Sequence, residues 1–226
     1  MDHHDRPRAA TPESIRDLWE SDLDREIADP AIDESADNAQ LLRAFRSAPI
    51  PIIDTLVDET WVWSDLHLAD RSVLLAWDRP FRSIEQMNHH LLREWHRRVR
   101  PGHTIICLGD VAPPDAWYDR RLTLDIRDCP GRRVLILGNH DRDRHALRDA
   151  GFHVQHTAAL CATDPPLALT HMPLRQVPPT AFNVHGHLHK ADGPSRRHVN
   201  VSVERTDYAP VGLSWIIEVC RRQMTA

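Results

Sequence analysis

The chain is 226 residues long, 41% hydrophobic and 27% charged; that is ample for one core with an appendage, and the absence of any run of about 18 apolar residues excludes a helical membrane span. Its polar, acidic start, Met1-Asp2-His3-His4-Asp5, is not expected to act as a secretory signal. The net charge of −5 is uneven: residues 1–59 carry 15 Asp and Glu against 6 Arg, so the rest is mildly basic, with Lys190 its single lysine.

Residues 1–58 are expected to form an acidic helical extension. Thr11-Pro12 offers a cap and a first-turn proline, and Ile15, Leu18, Trp19, Leu23 and Ile27 recur at helical spacing until Pro30. A second short helix is expected over residues 38–46, with Leu41, Leu42 and Phe45 on one face, then an edge strand over 52–57. A disordered tail seldom holds so many large apolar side chains, so the extension is expected to fold back on the body or to pack across a homodimer.

The body, residues 59–226, opens with the strand Trp61-Val62-Trp63. Ser83 and Gln86 form a capping box for a helix that reaches Val99, with Ile84, Met87, Leu91, Leu92 and Trp95 on its apolar face, and Pro101-Gly102 stops it. Residues 104–108 are continuously apolar and read as a buried strand. A helix over 115–126, a strand over 133–137 and a helix over 141–150 with Gly151 just past its end come next. Strands are then expected over 152–158, 167–170, 181–184, 199–203 and 213–219. Cys107, Cys129, Cys161 and Cys220 form no CxxC pair, and Cys107 and Cys220 lie in apolar runs, so reduced thiols in a cytoplasmic protein are expected.

Clusters of Asp, Asn and His close several of these runs: Asp65-Leu66-His67, Gly109-Asp110, Gly138-Asn139-His140-Asp141, His171 and Gly186-His187-Leu188-His189. Two divalent cations about 3.5–4 Å apart need oxygen and imidazole ligands from several strand ends, with one carboxylate between them. Together the five clusters describe such a site, and with it phosphoester chemistry. Asp65 and His67, two residues apart on an extended strand end, point the same way and can reach one cation. Asp110 ends a buried strand, where a bare carboxylate is costly; a place between two cations or a helix N-cap would satisfy it. Asn139 offers a neutral amide oxygen, and His140 a general acid or a clamp on phosphoryl oxygens. Asp141 is expected to cap the helix it starts. His187 and His189 align with one another, and His185 shares their alternation. His171 taken alone reads more often as a core histidine. Arg71, Arg142, Arg144 and Arg175 lie beside motifs, where a guanidinium could hold phosphate.

In this order the motifs resemble those of the calcineurin-like metallophosphoesterase superfamily, from about residue 60 to residue 215. The small bacterial and phage single-domain type is most similar, sharing Arg79-Pro80-Phe81, His171-Met172-Pro173-Leu174-Arg175 and Asn200-Val201-Ser202-Val203. The resemblance implies an α/β fold, a two-sheet α/β/β/α sandwich, with residues 1–58 as an N-terminal helical extension outside it. It implies one metal on Asp65, His67, Asp110 and His189 and a second on Asp110, Asn139, His171 and His187. Asp110 and a hydroxide would bridge the two, and His140 would be the catalytic histidine, holding the phosphoryl group together with Asn139. One position departs, because small members often carry a histidine where this chain has Asp70.

The expected activity is metal-dependent hydrolysis of a phosphoester, a diester ahead of a monoester, with the bridging hydroxide as nucleophile. The mixed donor set suits manganese, iron, zinc or nickel, and family habit favours manganese. Nucleic acid enters only as a substrate. A nuclease and a protein phosphatase are the enzymatic alternatives, and a phosphate-binding scaffold the non-enzymatic one. The body lacks a dense Arg and aromatic stripe that would track a strand. Residues 110–115 do not carry the longer G-D-x-x-D-R-G run of a phosphatase, and keeping all eight site positions argues against a scaffold.

Overall fold

The structure is a computed structural model that describes residues 50–175 and 177–225. The two helices expected in the extension lie outside these residues. The described strands are β1 (Ile52–Ile53), β2 (Thr60–Trp63), β3 (Thr104–Cys107), β4 (Arg132–Ile136), β5 (Val154–His156), β6 (Ala158–Cys161), β7 (Leu167–Thr170), β8 (Phe182–His185), β9 (His198–Asn200) and β10 (Val211–Gly212). The α-helices are α1 (Ser72–Ala76), α2 (Ile84–Arg98), α3 (Arg120–Asp128), α4 (Arg144–Asp149) and α5 (Leu213–Thr225).

The strands form two five-stranded sheets, ordered β10-β2-β3-β4-β5 and β1-β6-β7-β8-β9. In the first, β2 to β5 run parallel and β10 antiparallel; in the second, only the β6–β7 pairing is antiparallel. The period of two along each strand builds the layers. Trp63, Ile105, Cys107 and Leu135 face a core shared with Met87, Leu91 and Trp95 of α2, Leu122 and Ile126 of α3 and Leu147 of α4. Val62, Ile106, Val134 and Ile136 face the other way and meet Ala159, Leu167, Leu169, Phe182 and Val184 of the second sheet. Each fully buried Leu, Ile or Phe contributes about 1.5–3 kcal/mol of transfer free energy before chain entropy is subtracted. This is the expected two-sheet α/β sandwich.

Several local expectations change. Residues 213–219 are not a strand: Leu213, Ile216, Ile217 and Cys220 are buried at helical spacing in α5, a periodicity masked by an apolar run. The expected helix over 115–126 breaks at Asp119, whose carboxylate accepts from the Arg121 N–H at 2.8 Å, leaving a 3-10 turn (Pro114–Tyr118) before α3. The run over 152–158 is two short strands, β5 and the start of β6, in different sheets. Only Ile52–Ile53 of the expected 52–57 edge strand is extended pairing, parallel to β6. The cap of α2 is as expected, with the Ser83 hydroxyl accepting from the Gln86 N–H. All four cysteines are free and buried.

Candidate metal centre

The chain segments that leave β2, β3, β4, β7 and β8 converge at one end of the two sheets, where open α/β sheets place their sites. The segment after β2 continues alongside the one after β3: Asp65 N–H donates to Gly109 O, His67 N–H to Asp110 O and Leu68 N–H to Val111 O, at 2.9–3.0 Å. These segments are not extended, as the sequence had suggested. Asp65, His67, Asp110, His187 and His189 all have positive φ, between 48° and 66°. Alternating left-handed residues still project Asp65 and His67 to one side, and likewise His187 and His189. A non-glycine residue held there costs on the order of 1 kcal/mol or more, and such strain persists where surrounding contacts over-determine it. Gly109 shows why the turn is so tight: at φ +92° its missing Cβ would sit 2.5 Å from His171 Nδ1 and 2.6 Å from Gly138 Cα.

Two donor clusters result. Asp65, His67 and His189 form one, Asp110, His171 and His187 the other, each with ligating atoms within 4.8 Å of one another. Asn139 Oδ1 joins the second, 2.9 Å from His171 Nε2 and 3.2 Å from His187 Nδ1. Asp110 Oδ2 lies between the clusters, 3.6 Å from His67 Nε2 and 3.3 Å from His171 Nε2. All seven expected ligands are therefore brought together. His140 stands beside them, its ring 5.1 Å from the His67 ring and its N–H donating to Asp110 Oδ1 at 3.0 Å. Asn139, His140 and His187 are half-buried while the others are buried, so the centre opens on their side.

The surroundings fix which imidazole nitrogen faces inward. His171 Nδ1 donates to Leu108 O at 2.7 Å and His189 Nδ1 to Glu204 at 2.9 Å, leaving their Nε2 atoms toward the cluster. His67 Nδ1 meets Asp70 at 3.3 Å, and its buried Nε2 has no hydrogen-bond partner among the described residues. Asp70 thus helps to orient the His67 ring.

The buried carboxylates and imidazoles of the centre perturb one another strongly. Burial opposes ionisation of Asp110, yet His171, His67 and His140 hold it well below the usual carboxylate range. Burial also disfavours a protonated His171, but Asp110 beside it raises it to about 10. Burial and His171 together push His187 down to about 4. A buried orphan nitrogen, clustered carboxylates and a mixed nitrogen and oxygen donor set fit two transition-metal cations.

Sequence reasoning missed the supporting shell. Buried Arg79 pairs with Glu204 at 2.7 Å and donates to Leu66 O and Asp65 O, tying the first motif to His189. The Ser202 hydroxyl lies 2.9 Å from Asp65 Oδ2, and Asn200 Nδ2 donates to His189 O at 3.0 Å. The signal was present: Asn200, Ser202 and Glu204 alternate with apolar Val201 and Val203. Trp77 stacks on His189 with ring centroids 4.1 Å apart. Asp141 is not the helix cap expected; its carboxylate accepts from the Asp110, Val111 and Gly138 N–H groups, and Asp143 caps α4. A loop whose amides must all be satisfied outcompetes a cap one turn away. His185 is buried against His198 and is bonded to Gly186 O, outside both clusters. Arg71 is exposed beside Glu85, and Arg175 is exposed.

Comparison with known proteins agrees with this architecture. An uncharacterized protein of Methanocaldococcus jannaschii is 26% identical over 167 residues, covering 70% of this chain and 89% of its own. The gene 66 protein of Mycobacterium phage L5 is 33% identical over 98 residues, 42% of this chain and 45% of the phage protein. The crystal structure of a protein of unknown function from Aquifex aeolicus superposes with a TM-score of 0.59 at 21% identity, over 71% of this chain and 98% of that one. Residues 59–215, which hold every motif residue above, match the family described as calcineurin-like phosphoesterase, and the chain belongs to that metal-dependent family.

Proposed function

We propose that the two clusters hold two divalent transition-metal ions, manganese first among them, and that the protein hydrolyses phosphodiesters. The observation that carries this reading is Asp110, whose one carboxylate oxygen faces both clusters at 3.3 and 3.6 Å. Asp65, His67 and His189 complete one set and Asn139, His171 and His187 the other. When bound, the cations supply a water acidic enough to lose its proton near neutral pH and offset charge on the phosphoryl oxygens.

The chain's own residues do the rest. Asp110 and Asp65 set the spacing and the negative charge of the site. His140, on the open side, donates a proton to the leaving oxygen, and with Asn139 it holds the phosphoryl group in line. A diester has two non-bridging oxygens, whose charge two cations would offset, whereas a monoester brings a third that needs another donor. Direct attack by water requires no covalent intermediate, so no Ser or Cys is assigned as nucleophile. Free, buried cysteines are in keeping with a reducing, cytoplasmic setting. Among the described residues no helix is long and apolar enough to cross a membrane.

The test is hydrolysis of bis-p-nitrophenyl phosphate and p-nitrophenyl phosphate by protein reconstituted with manganese. The diester is expected to turn over faster, and Asp110→Asn to abolish both. Activity that survives chelation, or Asp110→Asn with full rate, would remove the proposal.

A further inference from the structure

Beside the metal centre lies a cavity of about 590 Å³ that no step above uses. Its walls come from the two loops that carry Asp110 and His140: Pro114, Trp117 and Tyr118 on one side, Arg142, Arg144 and His145 on the other. We propose that this cavity is a nucleotide subsite, which takes the base and the adjoining phosphate on the leaving-group side of a nucleotidyl phosphodiester. The inference rests on the phosphodiesterase reading and narrows its substrate class.

Position comes first. Arg142 N–H donates to His140 O at 2.9 Å, and two residues of chain span at most about 7 Å, so the arginine wall of the cavity begins within one tight turn of His140. Asn139 and His140, on the same loop as Arg142, are the half-buried residues through which the centre opens.

Chemistry comes second. Tyr118 is 91% exposed, although its neighbours Ala116 and Trp117 are buried and anchor the turn that presents it. A large ring held out from a fixed turn is a face on which a base can stack. Arg142, Arg144 and His145 are exposed on the opposite wall. The one carboxylate among them, Asp143, is engaged by the His145 and Ala146 N–H groups of α4. An aromatic face opposite two arginines suits a base joined to a phosphate. The larger cavity between α2 and α3, about 910 Å³, sets Glu85, Asp119, Asp125 and Asp128 against only Arg93 and Arg121, a net negative lining that disfavours a phosphate.

Abasic dinucleotides test the subsite. Thymidylyl-thymidine is compared with the analogue lacking only the base on the leaving side, using the metal-loaded protein. Removing that base should lower kcat/KM by about 5- to 150-fold, the range for one base stacked on an aromatic side chain. In Tyr118→Ala the two substrates should become equivalent, while hydrolysis of bis-p-nitrophenyl phosphate stays within a few-fold of wild type. Arg144→Ala should raise KM for a thymidine tetranucleotide more than for the dinucleotide. Equal rates with and without the base in the wild type, or an undiminished base effect in Tyr118→Ala, overturn the proposal. If no diester is cleaved at all, the phosphodiesterase reading fails, and the subsite is then judged by titrating thymidine 5′-phosphate against tryptophan fluorescence. Saturable quenching that weakens at least fivefold in Tyr118→Ala supports it, and identical titrations overturn it.

Discussion

Replacing Glu204 asks whether charge or packing holds the first cluster. The Arg79 and Glu204 side chains are both fully buried, and their ion pair is 2.7 Å long. The other acceptors around the guanidinium are neutral, namely Leu66 O, Asp65 O and Met87 Sδ. Glu204→Ala therefore strands a buried cation, a change worth about 3–5 kcal/mol. At about 2–4 °C per kcal/mol for a chain of this size, the melting temperature should fall by roughly 6–20 °C. Glu204→Gln keeps the volume and one acceptor and should cost less, about 1–3 kcal/mol. Glu204→Ala also removes the acceptor for His189 Nδ1–H, which should weaken the first cation by about 10–100-fold and leave the second little altered, whereas the amide oxygen of Glu204→Gln can still accept that bond. Urea unfolding of the apoprotein reads the stability, and stepwise calorimetric metal titration reads the two sites separately. Wild-type stability together with two unchanged metal affinities in Glu204→Ala would refute the reasoning.

Other consequences are independent of Glu204. His140→Ala should retain both metals yet lose about 10²–10⁴-fold in turnover on a diester with a poor leaving group, and less on a p-nitrophenyl ester, as steady-state kinetics would show. Asp141→Ala leaves three buried N–H groups without their acceptor and should destabilise the protein by at least about 2 kcal/mol in urea unfolding, although Asp141 ligates nothing. Chelation should lower the melting temperature, and metal at 100 times its dissociation constant should restore about 2.7 kcal/mol per site, a gain that scanning calorimetry at several metal concentrations would follow.

The five motifs were legible because each closes an apolar run, and the runs proved to be strands or their immediate continuations. Asp65, His67, Asp110, Asn139, His171, His187 and His189 were named from the family's motif string, and the fold gathers all seven. What the string could not convey was backbone conformation: extended alternation and alternating left-handed residues project side chains alike, and only the second is present. Asp141 was misread because a cap one residue from a helix is a local choice, whereas its three amide partners come from two loops 30 residues apart in sequence. Arg79 and Glu204 meet across 125 residues, a separation that no periodicity spans. Residues 213–219 failed for the opposite reason, since a mostly apolar run containing β-branched Ile216, Ile217 and Val219 hides a helical stripe until its partners are known.

Metal content tests the central claim most directly. Elemental analysis of protein reconstituted with manganese and freed of excess ion should give two metals per chain for the wild type. Asp110→Asn should lose metal from both positions, because its one carboxylate oxygen faces both clusters. His67→Ala should lose mainly one. A folded wild-type protein that binds one metal or none, or an Asp110→Asn variant that keeps two, would contradict the account.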